Sequence, residues 1–169
     1  TPADIEPFYS STIRRAMYEV GHLWQNARIS VAQEHLVSAM VSRVMAHIGT
    51  TKIKSSRQSG KAIVTAAPNE FHEIGAWMIS DLLELDGWNV RYLGANTPHR
   101  ALVEMLEQFR PDILVISVSL PFNLLKVKQL IADIRGRAVL SDLKIMVGGK
   151  AFNDNAGIWE VVGADGHAP

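Results

Sequence analysis

The sequence predicts an α/β domain with a five-stranded, parallel, doubly wound sheet, preceded by a short bundle of helices. From residue 61 onwards, short β-rich runs alternate with amphipathic segments, a pattern typical of parallel sheets with right-handed crossovers. Before that point the sequence has helical periodicity and no strand signal. We therefore expect two domains, a helical one at residues 1–58 and an α/β domain at residues 59–169.

The helical domain contains two expected helices. The first has one apolar face, formed by Ile13, Met17, Val20, Leu23 and Trp24. After a break at residues 26–30, Ser30 is the expected N-cap of the second helix, and Gln33 stands where its side chain can bond back. Gly49 is the expected end of that helix, and the polar residues 51–60 are expected to form a linker.

The α/β domain contains four clear strand signals and the start of a fifth. The expected strands cover residues 62–67, 88–93, 112–118 and 143–147, and Ala164 is the expected start of the last one. The expected helices cover residues 70–85, 98–109, 122–134 and 155–161, with Thr97 as the N-cap of the second. Parallel sheets of this kind bind ligands at the carboxyl ends of their strands, so we expect the functional residues in the loops that follow them.

Composition excludes several classes of function. Lys and Arg total 17, as do Asp and Glu, so the chain lacks the basic excess that binds nucleic acid directly. There is no Cys, which excludes disulfides, thiolate metal ligands and a thiol nucleophile. No apolar run approaches the ~20 residues of a membrane span. We expect a cytoplasmic chain that contacts neither nucleic acid nor membrane.

The loop after the first strand carries a possible metal ligand. His72 lies two residues after Glu70, and a carboxylate that bonds one imidazole nitrogen fixes the tautomer and makes the other nitrogen a better ligand. Gly75 would let a bulky group approach the backbone of the first helical turn. The alternative is a solvated loop histidine beside an ordinary glycine.

The later strand ends leave two interpretations open. Ser117 and Ser119 can donate to a ligand or cap the following helix, and Gly148-Gly149 permits a close backbone approach or a simple turn. A phosphoacceptor receiver domain is excluded because the third strand ends in serines rather than Asp. A flavodoxin is excluded because residues 68–72 are not a Ser/Thr-rich phosphate loop, and no dinucleotide or Walker A motif occurs.

Taken together, Glu70-x-His72-x-x-Gly75, Ser117-x-Ser119-Leu120 and Gly148-Gly149 resemble the cobalamin-binding fold, whose pattern is Asp-x-His-x-x-Gly, Ser-x-Leu and Gly-Gly. The resemblance implies a flavodoxin-like (Rossmann-like) domain. In it His72 is the lower axial ligand of cobalt, Glu70 orients His72, and the displaced nucleotide tail lies in a slot beside the sheet. The cofactor-binding residues that it implies here are Glu70, Phe71, His72, Glu73, Ile74, Gly75, Ser117, Ser119, Leu120, Gly148, Gly149 and Gly166. This chain departs from the pattern in having Glu70 for Asp and Ser119 for Leu.

The helical domain carries a second resemblance. Trp24, nine residues, and then Glu34-His35 resemble the cap of cobalamin-dependent photoreceptors. The resemblance implies that this domain covers the upper face of cobalamin, with Trp24, Glu34 and His35 beside the upper axial group. Gln25 stands where that family has a His that captures cobalt after photolysis, which leaves His22 and His35 as candidate upper ligands.

The two resemblances imply a light sensor rather than an enzyme. Light would break the Co–C bond, the cap would shift, and self-association or contact with a regulatory protein would change, with transcription or signalling as the output. Adenosylcobalamin is the first expected cofactor form, ahead of methylcobalamin and hydroxocobalamin. The alternatives are a corrinoid shuttle carrying a methyl group for methyltransferases, a B12-responsive regulator that ignores light, and an interaction module without B12. The short cap also leads us to expect a minimal or trimmed form of the family's chain.

Overall fold

A computed structural model describes residues 4–52, 59–154 and 157–168. The chain divides into two compact units, Thr1–Ser55 and Ser56–Pro169. The domain boundary expected at residue 58 lies outside the described residues. In the described part of the chain, no helix is both long enough and apolar enough to cross a bilayer.

The helical unit consists of two long helical segments joined by a short turn. Helix α1 (Ile5–Pro7) continues through a π-helical stretch (Phe8–Ile13) into α2 (Arg14–Gln25), and α3 covers Val31–Lys52. The buried apolar side chains among the described residues of this unit are Ile5, Tyr9, Ile13 and Met45. Both predicted helices are therefore present.

The two ends of α3 test two expectations of the sequence. The Ser30 N–H donates to Gln33 Oε1 at 2.8 Å, and the Gln33 N–H donates to Ser30 Oγ at 3.2 Å, which confirms the reciprocal cap. The expected end at Gly49 is wrong, because the helix continues to Lys52. A glycine inside a helix costs about 1 kcal/mol relative to alanine but ends it only where the backbone turns left-handed.

The α/β unit contains a five-stranded sheet in which every pair of neighbours is parallel, as predicted. The strands are β1 (Gly60–Ala66), β2 (Trp88–Tyr92), β3 (Ile113–Ser117), β4 (Lys144–Gly148) and β5 (Gly166–Ala168), in the order β2-β1-β3-β4-β5. The fifth strand thus begins two residues after the expected start at Ala164. All five carboxyl ends lie at one edge of the sheet.

Helices cover the sheet on both faces. They are α4 (Ile74–Leu85), α5 (His99–Phe109), α6 (Leu124–Arg135), α7 (Lys150–Asn153) and α8 (Ile158–Val162). Because the chain crosses from β1 to β2 in one direction and from β2 to β3 in the other, right-handed crossovers put α4 on one face and α5 and α6 on the opposite face. Apolar side chains of β1, β3 and β4 meet those of α5 and α6 in the main core.

Several expected helix boundaries differ from the structure, and the helix expected at residues 122–134 is α6 at Leu124–Arg135. The helix expected at residue 70 begins at Ile74, because the preceding residues form the loop that carries Glu70 and His72. Thr97 is not an N-cap: Pro98 occupies that position, and the Thr97 hydroxyl bonds to Leu93 O and to Thr65 Oγ1 instead. Of the helix expected at 155–161, residues 155–156 lie outside the described residues, and α8 ends one residue later than expected.

Candidate metal and cofactor site

His72 lies in the loop between β1 and α4, at the carboxyl edge of the sheet. Its Nδ1 is 2.5 Å from Glu70 Oε1, and its side chain is 60% exposed whereas that of Glu70 is fully buried. An Nδ1–H that donates to the carboxylate leaves the lone pair on Nε2. The pair therefore presents an oriented imidazole at the surface and keeps the orienting charge inside.

The Glu70 carboxylate is held by donors from two loops. Oε1 also accepts from the His72 N–H at 3.3 Å, and Oε2 accepts from the N–H groups of Ser119 and Leu120, each at 3.0 Å. Burial by itself raises the pKa of Glu70, but the His72 side chain and the N–H groups of Leu120, His72 and Ser119 outweigh it and lower the pKa to about 2. Glu70 is therefore a carboxylate at neutral pH and ties the His72 loop to the loop after β3.

The local backbone explains how Glu70 turns inward. Asn69 has a left-handed φ of 65°, a conformation that Asn tolerates better than most residues, and its N–H donates to Asn96 Oδ1 at 2.9 Å. The Glu70 N–H then donates to Ala67 O at 2.9 Å, and Glu70 O accepts from the Asn96 N–H at 2.9 Å. This tight turn ends the extended backbone that follows β1 and directs the Glu70 side chain into the protein.

A row of small residues crosses the carboxyl edge of the sheet. The strand register pairs Ala66 with Ser117, Ser117 with Gly148, and Gly148 with Ala168. A Cβ on Gly75 of α4 would lie 3.5 Å from Ser117 Oγ, which puts the row on the α4 face. Exposure rises along the row from the buried Ala66 to the exposed Ala168. The row therefore carries little side-chain bulk at its accessible end, Gly148 and Ala168.

The two glycines after β4 have a packing reason. A Cβ on Gly149 would lie 2.6 Å from Val118 O, and Gly149 has a left-handed φ of 97°. A Cβ on Gly148 would lie 2.7 Å from Ala168 O. Gly166 is different, because the atom nearest to its Cβ position is the flexible Met146 Sδ at 2.6 Å. Both glycines of the pair are thus required by neighbouring backbone.

The remaining predicted residues of this unit lie around the His72 loop. Phe71 is 73% exposed, and Phe122 and Leu125, from the segment after β3, are exposed as well. Glu73 occupies the N-cap position of α4, where its carbonyl accepts from the Tyr92 hydroxyl at 3.2 Å, and Ile74 is the first residue of that helix. The edge that carries the imidazole therefore also offers apolar surface to a large ligand.

The predicted residues of the helical unit lie on its two long helices. Trp24 is near the end of α2 and is 47% exposed. Glu34 is in the first turn of α3, where its Oε2 is 2.5 Å from His35 Nδ1 and its Oε1 accepts from Ser38 Oγ at 2.7 Å. His22 and Gln25 are exposed residues of α2. The expected ligand-facing side chains are thus partly or fully accessible in this unit.

The site contains a single predicted metal ligand, His72, which limits the kind of metal it could bind. Within residues 4–52, 59–154 and 157–168, no group of three or more His, Asp or Glu side chains could hold a bare metal ion. A single oriented imidazole suits a metal that brings its own equatorial ligands. A corrin is a ring of this kind, because it supplies the equatorial ligands of its own metal. The site and the fold together define a class of corrinoid-binding α/β domains.

The comparison with known families agrees with this class. Residues 60–167 match the family described as B12 binding domain, and residues 3–48 match a second family of the same description. The chain therefore belongs to the B12-binding domain family, and its cofactor is a cobalamin or related corrinoid.

Individual relatives have low sequence identity to this chain. The HTH-type transcriptional repressor CarA of Myxococcus xanthus is 28% identical over 117 residues, which cover 69% of this chain and 38% of CarA. CarH, an HTH-type transcriptional repressor of the same organism, is 26% identical over 153 residues, which cover 90% of this chain and 50% of CarH. The chain thus spans half or less of the length of these two relatives.

A solved structure shows the same fold. The Methanosarcina barkeri monomethylamine corrinoid protein superposes with a TM-score of 0.78 at 24% identity, over 90% of this chain and 72% of that one. The five-stranded parallel sheet and its preceding helices are therefore an architecture that corrinoid proteins use.

Sequence reasoning missed one residue of the site. Asn123, at the end of the 3₁₀ turn Pro121–Asn123, is fully buried, and its Nδ2 donates to Glu70 Oε2 at 3.2 Å. The sequence offers only a weak signal for this residue, because an Asn just before a helix is ordinarily an N-cap. Here its side chain makes no cap hydrogen bond to α6.

Proposed function

We propose that this chain is a light-responsive cobalamin sensor domain and not an enzyme. The observation that carries the proposal is the Trp24-x9-Glu34-His35 pattern, whose residues lie on α2 and α3 with Trp24 half-exposed and His35 exposed. The similarity to CarA and CarH, which are transcriptional repressors by name, supports a regulatory role over a metabolic one.

Each unit has its own task in this proposal. His72 would bind cobalt through its imidazole, Glu70 would hold the tautomer of His72, and Gly75, Ser117 and Gly148 would contact the nucleotide tail. In the helical unit, Trp24 would offer a flat aromatic face to the alkyl group on cobalt, and Glu34 would accept hydrogen bonds from a ribose hydroxyl. This division favours adenosylcobalamin over methylcobalamin and hydroxocobalamin, because only the adenosyl group offers both an aromatic face and a ribose.

The output follows from a loss of contacts. When bound, an alkylcobalamin would supply a light-sensitive Co–C bond. The side chains of Trp24, Glu34 and His35 then lose the group they were packed against, and the packing preferred by the helical unit changes. A change of this kind biases a two-state surface toward or away from self-association or a regulatory protein partner.

The test is a comparison of dark and illuminated protein. Protein loaded with adenosylcobalamin in the dark should change both its absorption spectrum and its hydrodynamic size after green light. Protein loaded with hydroxocobalamin is the matched control and should change neither, because it has no Co–C bond. A photostable spectrum of the adenosylcobalamin form would overturn the light-sensing proposal, and an unchanged size would overturn the association output.

A methyl-carrying shuttle is the second candidate. Two observations favour it: the fold is shared with a corrinoid protein, and the residue after Trp24 is Gln25, whose amide is a poor ligand for cobalt compared with imidazole. Protein loaded with methylcobalamin separates the candidates. Demethylation in the dark by a corrinoid methyltransferase would support the shuttle, and resistance to it would support the sensor.

A further inference from the structure

The helical unit carries a second histidine that is bonded to a carboxylate. His35 Nδ1 is 2.5 Å from Glu34 Oε2, the same distance that separates His72 Nδ1 from Glu70 Oε1. The accessible ring and the shielded acid are arranged in the same way, since the side chain of His35 is 74% exposed and that of Glu34 is 26% exposed. When the Nδ1–H of His35 donates to the carboxylate, the lone pair lies on Nε2.

The carboxylate of Glu34 is itself held by a third side chain. Its Oε1 accepts from the Ser38 hydroxyl at 2.7 Å, one helical turn further along α3, so each carboxylate oxygen has its own partner. The two oxygens belong to one planar group, so a bond to Oε1 also sets the direction of Oε2. Ser38, Glu34 and His35 therefore form a chain of hydrogen bonds that orients the His35 ring and places its proton on Nδ1.

The backbone that carries this chain of hydrogen bonds is well supported. The reciprocal cap between Ser30 and Gln33 closes the first turn of α3, which His35 directly follows. At the end of α2, the Ala27 N–H donates to Trp24 O at 2.9 Å. Trp24 and His35 therefore lie on either side of one short hydrogen-bonded turn, and the ring of His35 extends from a rigid helix.

The other histidines of the helical unit lack this arrangement. The rings of His22, on α2, and His47, three turns beyond His35 on α3, are exposed and make no hydrogen bond to a residue within the described ranges. Gln25, beside Trp24, ends in an amide, which is a poor ligand for cobalt compared with imidazole. His35 is therefore the histidine of this unit whose ring is held as the rings of metal-binding histidines are.

We propose that His35 is a second cobalt ligand, which binds the upper axial position through Nε2 when no alkyl group occupies it. In aquacobalamin a water molecule is bound there. The water leaves, the lone pair of His35 Nε2 forms the new bond to cobalt, and the proton stays on Nδ1, so no oxidation state changes. Ser38 and Glu34 act as positioning residues for this ring.

This ligation would make two states of the helical unit distinct. His35 and an alkyl group compete for one position, so the ring is free while the alkyl group is bound and is attached to cobalt once that group has left. A contact made in only one of two states is what shifts the balance between them. The part of the inference that concerns cobalt rests on the proposed binding of cobalamin, whereas the part that concerns the His35 tautomer needs no cofactor.

The first experiment uses the protein without cobalamin. The ¹⁵N chemical shifts of the histidine rings are compared in mildly alkaline solution for the parent chain, Ser38→Ala and Glu34→Ala. We expect the His35 ring of the parent to carry its proton on Nδ1, and the fraction of that tautomer to fall in Ser38→Ala and to fall further in Glu34→Ala. The ring of His47 is the internal control and should not change. A His35 tautomer that is the same in Glu34→Ala as in the parent would overturn the orienting role of Glu34.

The second experiment loads the protein with hydroxocobalamin in the dark and titrates it with azide, which binds cobalt in place of water. We expect His35→Ala to bind azide at least about 10-fold more tightly than the parent, the ratio expected when His35 occupies about nine tenths of the upper positions. Its spectrum should lose the signature of cobalt with two imidazole ligands. His47→Ala is the matched control and should behave like the parent. Glu34→Ala should lie between the parent and His35→Ala, because loss of a group that orients a metal-binding His weakens metal binding by roughly 10-fold to 100-fold.

The outcomes separate this inference from the proposed function. A spectrum and an azide affinity in His35→Ala equal to those of the parent would overturn the second ligand. Tighter azide binding in His22→Ala but not in His35→Ala would assign the position to His22 and would also overturn it. Because no light is used, a photostable adenosylcobalamin form would overturn the sensor and leave this result intact. If His72→Ala leaves the spectrum unchanged, the lower ligand fails while the azide comparison still decides the role of His35.

Discussion

His72 has an exposed ring, and Glu70 beside it carries a buried charge. The imidazole is accessible at the carboxyl edge of the sheet, while the carboxylate beside it is fully buried and hydrogen-bonded on both oxygens. Hydrogen bonds to the ionised form keep the pKa of Glu70 near 2 despite the burial that opposes it. The tautomer of His72 is therefore set within the protein before any ligand arrives.

Replacing His72 by Ala tests the proposed binding of its imidazole to cobalt. We expect His72→Ala, loaded with cobalamin, to show the spectrum of the form without His ligation and to retain the cofactor at least roughly 10-fold less well. Free imidazole added to this variant should restore the parent spectrum. His99→Ala is the control, since it removes an imidazole of α5 that also bonds a carboxylate, that of Asp133 on α6 at 2.9 Å. An unchanged spectrum in His72→Ala would contradict the assignment.

Gly149 tests the packing of the glycine pair. We expect Gly149→Ala to lower the free energy of unfolding by about 2–4 kcal/mol, because its Cβ would meet Val118 O at 2.6 Å and its φ is left-handed. Gly21→Ala is the matched control: a Cβ at Gly21, in the interior of α2, meets nothing within 4 Å, and the change should stabilise the chain by up to about 1 kcal/mol. Denaturant unfolding of both variants measures the difference, and equal stabilities would contradict the packing argument.

At the scale of elements, β5 is the shortest strand and lies at an edge of the sheet. It has only three residues, Gly166–Ala168, and it pairs with β4 alone. The preceding Asp165 attaches it: its carboxylate accepts from the Ile145 N–H at 2.7 Å and from the Arg135 guanidinium, and its N–H donates to Ile145 O at 2.8 Å. This one residue therefore connects β5 to both β4 and α6.

The stability that Asp165 supplies should depend on pH in a defined direction. Burial alone raises the pKa of Asp165, but the Ile145 N–H and Arg135 outweigh it and lower the pKa below its usual value of 3.8. A carboxyl group whose pKa is lowered by folding stabilises the fold above the unfolded pKa, and this contribution is lost as the pH falls. We expect Asp165→Asn to cost roughly 1–3 kcal/mol at pH 7 and the difference from the parent to shrink below about pH 4. Urea unfolding at several pH values measures this, and a difference that stays constant down to pH 3 would contradict it.

At the scale of the whole molecule, each of the two units carries its own set of candidate cofactor-binding residues. The α/β unit carries His72 and the small-residue row, and the helical unit carries Trp24 and the Glu34-His35 pair. The two contributions should then be separable by substitution in one unit at a time.

Trp24→Ala should weaken the binding of the adenosyl group and leave the proposed bond between His72 and cobalt intact. We expect the affinity for adenosylcobalamin to fall by about 2-fold to 10-fold relative to hydroxocobalamin, because an aromatic contact contributes about 0.5–1.5 kcal/mol. The spectral signature of His72 ligation should stay that of the parent. Tyr18→Ala, which removes another exposed aromatic ring of α2, is the control and should change neither. A lost lower-ligand signature in Trp24→Ala would contradict the division of roles.

The sequence by itself determined the features that depend on near neighbours. Alternating patterns predicted the parallel five-stranded sheet, and the spacing of Ser30 and Gln33 predicted a cap that the structure has. The pairing of Glu70 with His72 was also predictable, since two residues in one short loop lie close in any fold. Gly49 was misjudged because the effect of a glycine depends on a backbone angle that the sequence does not state.

The tertiary structure decided what lies beside Glu70. Ser119 and Asn123 are 49 and 53 residues away from it in sequence, and they reach its carboxylate because β1 pairs with β3 in a register that sets Ala66 beside Ser117. The same is true of Gly149, whose need for glycine comes from Val118 O on the neighbouring segment. Helix caps and short loops depend on contacts between residues a few positions apart. The donors that surround a buried charge depend on which strands pair and in what register.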